Sequence, residues 1–163
     1  MTSIRHRLLI DECLPPKLNS LYLSNHIKLT GDGVSVDHLV EVLGSGKKDR
    51  AWVPKIAKDQ RWCVLSADRG SHSARQDALP IICAQHGVTL IRISGNLYSR
   101  NLKVYGPQLL ANWQRLMAAL KGPKGAQYLL RLHARIADAS HIEATKAPNG
   151  FKVENGSVIE DAA

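Results

Sequence analysis

A chain of 163 residues that is 44% hydrophobic can bury one sizeable core but hardly two. Lys and Arg outnumber Asp and Glu by 22 to 14, and the resulting formal charge of +8 favours anionic partners such as nucleic acid or an acidic protein. No apolar run approaches the roughly 18 residues of a membrane span, and MTSIRHRLLIDE meets two carboxylates where a signal peptide's apolar segment would continue, so a soluble cytoplasmic protein is expected.

The chain alternates short apolar runs with segments of helical spacing, which points to an α/β fold. Ile4 to Ile10 reads as a first strand, and Pro15-Pro16 suits the opening turn of a helix through Leu23, because proline lacks an N–H that the first turn does not need. A second strand is expected over Val34 to Val42, ended by Gly44-Ser45-Gly46. Lys47 to Asp59 reads as a helix in which Pro54 must fall within the first turn or bend it. Trp62 to Ser66 forms a third strand, the loop ADRGSHS follows, and Asp77 to Gln85 forms the next helix. Val88 to Ile93 is a nearly pure apolar run, as expected of a central parallel strand covered on both faces. A longer helix covers Gly106 to Leu120.

Lys121-Gly-Pro-Lys-Gly125 is a basic breaker, read as the boundary between a core over 1–120 and an extension over 121–163. AQYLLRLHARIADA in the extension has the pattern of an amphipathic helix, and FKVENGSVIE carries Asn155-Gly156 as a two-residue hairpin signal. The extension is expected to pack on the core or to bind a partner. Cys13, Cys63 and Cys83 show neither CxxC nor metal-ligand spacing and read as small core residues in a reducing compartment.

In an open parallel sheet the ligand crevice lies at the carboxyl ends of the strands. Asp11 and Glu12 follow the first strand, Asp68 follows the third, and Asp49 stands near the start of the helix after the second. A dry cluster of carboxylates repels itself, so this one is solvated or holds cations, and hard divalent ions such as Mg²⁺ or Mn²⁺ prefer oxygen ligands of this kind. Such an ion activates water and stabilises charge on a leaving oxygen, which suits phosphodiester hydrolysis. Lys47, Lys48, Arg50, Lys55, Arg69 and Arg75 surround the acids in sequence and suit a phosphate backbone. Each acid also has a plainer role: Asp11 as a cap of the helix opened by Pro15, although it lies far upstream for a simple N-cap, Asp49 as a helix cap, Asp68 as a turn residue, and Glu12 as a solvent-facing or Arg-paired side chain.

The succession LLIDECLPPKL, KKDRAWVPKIAKDQ, WCVLSADRG and VTLIRI resembles the compact PIN-like domains, including those of VapC-type toxins, over roughly residues 4 to 120. The resemblance implies a three-layer sandwich with a short, mostly parallel sheet of four to five strands and helices on both faces. It implies a metal-dependent ribonuclease site in which Asp11, Asp49 and Asp68 bind Mg²⁺ or Mn²⁺, with RNA as substrate. It also implies an antitoxin protein as partner, and a homodimer is compatible with it. Many relatives carry a further acid two residues after the third, where this chain has Asp68-Arg-Gly70; Glu12, Asp77 or a water are the substitutes.

Two other readings stand beside this one. LLIDE also resembles the acidic pair that opens receiver-like signalling domains, and a PIN-like domain short of its fourth acid would serve as a catalytically silent binding module. The seven histidines form no HExxH pair, and no G-x-S-x-G or complete phosphate-binding loop occurs. His72, Ser71 and Ser73 lie near the proposed edge in sequence, while Trp52, Trp62 and Trp113 sit in apolar segments and read as core.

Overall fold

A computed structural model of the chain describes residues 3–67, 79–93 and 101–130, and the backbone of residues 131, 141–144, 151–154 and 157–160. Five parallel strands and one antiparallel strand form a sheet in the order β2-β1-β3-β4-β5-β6. They are β1 (His6–Ile10), β2 (Val34–His38), β3 (Trp62–Ser66), β4 (Thr89–Ile93), β5 (Gln127–Arg131) and β6 (His141–Ala144). The fold is α/β, consistent with a PIN-like three-layer sandwich.

Strand alternation explains the layers, because successive side chains point to opposite faces. Leu8 and Ile10 of β1 join Cys63 and Leu65 of β3 in one apolar cluster, while Leu9, Trp62 and Val64 join the other. The first cluster is covered by α1 (Ser24–Thr30), α5 (Leu102–Ala111) and α6 (Trp113–Leu120). The second is covered by α3 (Asp49–Ile56) and α4 (Leu79–Gln85), through Trp52, Val53, Ile82 and Cys83. A core strand buried on both faces reads as a continuous apolar run, which is how LLI and CVL look in the sequence.

Several elements differ from the sequence expectation. The first helical segment runs on to Thr30 and contains a π-helical turn over Asn19–Leu23. The Asn19 side chain donates to Val36 O at 3.2 Å and accepts from Ser24 Oγ at 2.5 Å, so this turn is tied to β2. The second strand ends at His38 rather than Val42, and Leu39–Leu43 forms α2. His38 is the reason: its Nδ1 accepts the Val40 N–H at 3.2 Å and caps α2, while Nε2 donates to Leu14 O at 2.7 Å.

The helix expected over Lys47 to Asp59 is shorter, and Pro54 lies in its interior rather than in its first turn. The helix expected from Gly106 to Leu120 begins at Leu102 and is divided at Asn112. The largest difference follows Lys121, where residues 127–131 form a parallel strand beside β4 instead of a helix. Leu130 is fully buried in the first apolar cluster, so pairing with an open sheet edge overrides the helical pattern. The expected hairpin is present as β7 (Phe151–Glu154) and β8 (Ser157–Glu160), with Glu154 opposite Ser157.

Candidate active site at the carboxyl edge of the sheet

The chain passes from β1 to β2 on one side and continues from β3 through β4 to β5 on the other. The crevice outside the carboxyl ends of β1 and β3 is therefore the topological switch point, the place where open α/β sheets hold ligands.

Asp11 stands at that point. It follows Ile10, which is opposite Leu65 across the ladder, and its N–H donates to Leu65 O at 2.9 Å. The residue is 7% exposed, a burial that a carboxylate tolerates when its oxygens are bonded. Ser66 Oγ donates to Oδ2 at 2.7 Å and the Glu12 N–H donates to Oδ1 at 2.7 Å. The Cys13 thiol lies 3.5 Å from Oδ2 and 3.4 Å from Ser66 Oγ, and accepts the Ala67 N–H at 3.3 Å. Burial first, and the charge of Asp11 second, push this thiol up to about 11, so at neutral pH Cys13 is a weak donor rather than a thiolate. Cys63 and Cys83 are the buried core residues expected, whereas Cys13 is half-buried and belongs to the site.

Asp49 reaches the edge by another route. It is the first residue of α3, preceded at the cap position by Lys48, which makes no side-chain capping bond. Trp52, one turn on and buried in the core, donates its indole N–H to Asp49 Oδ1 at 3.1 Å. A packed ring thus orients the carboxylate, and the negative charge is favoured in the first turn by the helix dipole. Asp11 and Asp49 share an electrostatic neighbourhood: the Cys83 thiol on α4 is raised well above its usual value by burial and then by the charges of Asp49 and Asp11.

Glu12 is exposed and pairs with no arginine among the described residues. Its two carboxylate oxygens lie 3.2 and 3.1 Å from the Gly46 N–H, linking the end of β1 to the loop that enters α3. Lys47, Lys48 and Arg50 are exposed and, with Asp49, line an open cleft of about 320 Å³. Lys55 is exposed on α3. Asp68, Arg69, Arg75, Asp77, His72, Ser71 and Ser73 lie outside the described residues.

Carboxylate oxygens are the donor type that a hard divalent cation takes, and Asp11 and Asp49 supply them here. Among the described residues no group of three or more His, Cys, Asp and Glu side chains could hold a metal ion. Sequence reasoning overlooked Ser66 and Cys13, the two side chains that fasten Asp11. A hydroxyl closing the otherwise apolar strand WCVLS was the available signal, since a buried hydroxyl requires a partner.

No helix among the described residues is long and apolar enough to cross a membrane. No curated protein and no solved structure matches the chain. A family model described as a PIN like domain matches residues 7–92, which runs from β1 through β4 and so contains the switch point with Asp11, Ser66 and Asp49. With more than half of its length matched and the strand order to accommodate the match, this chain belongs to the PIN-like domain family.

Proposed function

We propose that the protein is a metal-dependent endoribonuclease and acts as the toxin of a toxin–antitoxin pair. What supports the reading is Asp11 at the end of β1, with Glu12 beside it bonded to Gly46 in the loop that enters α3, and Asp49 lining a cleft with Lys47, Lys48 and Arg50. Asp11, Asp49 and Asp68 would hold Mg²⁺ or Mn²⁺, with Glu12 or Asp77 as further candidates. When bound, such an ion supplies an activated water and stabilises charge on the departing oxygen of the phosphodiester.

The chain's own residues do the rest. Ser66 and the Glu12 N–H hold the Asp11 carboxylate in one orientation, and Trp52 holds that of Asp49. Preorganised ligands of this kind spend little free energy on reordering when a substrate arrives. Lys47, Lys48 and Arg50, with Arg69 and Arg75, would bind successive backbone phosphates without reading base identity.

The test is cleavage of a labelled RNA pool with Mn²⁺, together with direct titration of Mn²⁺. Cleavage and binding that both disappear in Asp11→Asn, Asp49→Asn and Asp68→Asn support the reading, and wild-type protein that neither binds Mn²⁺ nor cuts RNA overturns it. That second outcome would favour a silent binding module, which the absence of a three-ligand group among the described residues also fits. The toxin role is tested by expression: the protein should arrest growth, and a co-expressed product of the neighbouring gene should relieve the arrest by binding it.

A further inference from the structure

The three central strands end alike. Leu9 and Ile10 of β1, Val64 and Leu65 of β3, and Leu90 and Ile91 of β4 are fully buried, and each pair is followed by a polar side chain: Asp11, Ser66 and Arg92. The register lines these up. Ile10 is opposite Leu65 and Leu65 is opposite Ile91, the Asp11 N–H continues the ladder by donating to Leu65 O at 2.9 Å, and Ser66 is opposite Arg92. Asp11, Ser66 and Arg92 therefore form one row across the carboxyl edge of the sheet.

Residues in one row share a face. Leu9, Val64 and Leu90, two places earlier on the three strands, all join the second apolar cluster, so the row belongs to the face that α3 and α4 cover. The 2.7 Å bond from Ser66 Oγ to Asp11 Oδ2 lies along it, and α3, which begins with Asp49, stands over the same face. Neighbouring strands are about 4.8 Å apart, which puts the Arg92 backbone roughly 10 Å from that of Asp11, a gap that an arginine side chain largely spans.

Arginine is a rare residue for such a place, between Ile91 at 0% and Ile93 at 2% exposure. Arg92 is half-buried and its Nε is enclosed, so packing holds the side chain. A group carried by a central strand is placed more precisely than one on a loop. Lys47, Lys48 and Arg50, by contrast, are exposed around the start of α3. A guanidinium offers no lone pair to a metal, but it is planar, always charged, and presents paired donors that match two phosphate oxygens.

The geometry points to Arg92 as a catalytic residue, which takes two non-bridging oxygens of the RNA phosphate that is cut at the acidic edge. This rests on the nuclease reading given above. In the reaction the water oxygen forms a new bond to phosphorus and gives its proton to solvent, while the ester P–O bond breaks and the departing oxygen takes a proton. Arg92 exchanges no atom and no proton. It acts by charge, because a donor fixed beside the phosphoryl oxygens stabilises their charge in the transition state without reordering.

Arg92→Gln and Arg92→Lys are compared with wild type, as full chains, by Mn²⁺ titration without RNA, by binding of a fluorescent single-stranded RNA in EDTA at several salt concentrations, and by steady-state cleavage with Mn²⁺. Arg92→Gln should bind Mn²⁺ no more weakly than wild type. Its kcat should fall about 100-fold, and the slope of log affinity for RNA against log salt should lessen by about 0.7, the loss of one phosphate contact. Arg92→Lys keeps the charge but not the two-pronged grip, so it should regain the salt slope and remain about tenfold slow. Either variant cutting RNA at the wild-type rate overturns the inference and leaves the nuclease reading intact. A fall in kcat matched by loss of Mn²⁺ binding makes Arg92 a support for the acids and overturns it as well. Wild type that neither binds Mn²⁺ nor cuts RNA ends the nuclease reading, and the inference falls with it. If Arg92→Gln does not fold, the kcat of Arg92→Lys decides: a tenfold loss with Mn²⁺ binding intact supports the role, and the wild-type rate refutes it.

Discussion

Replacing Ser66 with alanine tests the anchoring of Asp11 directly. Ser66 is fully buried and its hydroxyl donates to Asp11 Oδ2 at 2.7 Å, a short bond to a group that is itself 7% exposed. A hydrogen bond to a charged partner contributes about 1.5–3 kcal/mol. The Cys13 thiol at 3.5 Å is too weak a donor to replace a hydroxyl at Oδ2, so Ser66→Ala should cost about 2 kcal/mol. For a chain of this size that is a fall of roughly 4–8 °C in melting temperature. Thermal unfolding followed by circular dichroism at pH 7 measures it, and a double-mutant cycle assigns it. In an Asp11→Ala background the same Ser66 substitution should cost less than about 0.5 kcal/mol, because its partner is gone. A melting temperature within about 1 °C of wild type, or an equal loss in both backgrounds, would refute the anchoring argument.

Three further expectations follow from named contacts. Glu12→Ala should reduce Mn²⁺-dependent cleavage and Glu12→Gln should restore most of it, because an amide oxygen still accepts the Gly46 N–H; a metal-ligand role predicts no such rescue, and steady-state rates separate the two. Arg61 and then Arg7 hold the Asp59 carboxyl far below the usual carboxylate range, so its contribution to stability is complete above the unfolded value of about 3.9 and declines as pH falls below it toward the depressed folded value. Melting curves of Asp59→Asn and wild type should therefore differ at pH 7 and converge in acid, and a gap independent of pH contradicts the assignment. At Gly106 a Cβ would come within 2.9 Å of three atoms of the Tyr22 ring. Overpacking of about 1–3 kcal/mol, offset by about 1 kcal/mol of helix propensity, should leave Gly106→Ala roughly 1 kcal/mol less stable. A Tyr22→Leu background should remove that loss in a denaturant titration.

The sequence by itself determined the alternation of strands and helices, and with it the edge to which the acids go. LLI, CVL and TLI are buried on both faces because apolar runs of that length have no other place in a single core, and whatever follows them must leave the sheet at its carboxyl end. Asp11 was legible for that reason. So was the acid at the start of α3, since a helix entered after a glycine loop begins at the same edge.

Tertiary structure decided the rest, wherever a side chain's partner is distant in the chain. His38 ends β2 through a bond to Leu14, 24 residues away, and no local pattern contains that contact. Residues 127–131 became a strand because β4 offered an unpaired edge, although their own spacing suits a helix. Glu12, a reserve metal ligand in the sequence reading, is also joined to Gly46, 34 residues on, a contact that no local pattern contains. Cys13 packs against the first apolar cluster, as a core residue would, and its thiol also lies against Asp11 and Ser66. Hydrophobic periodicity reports which face a residue takes, because burial depends on the residue's own solvation; a hydrogen bond depends on which other group arrives opposite, and only the folded chain supplies that.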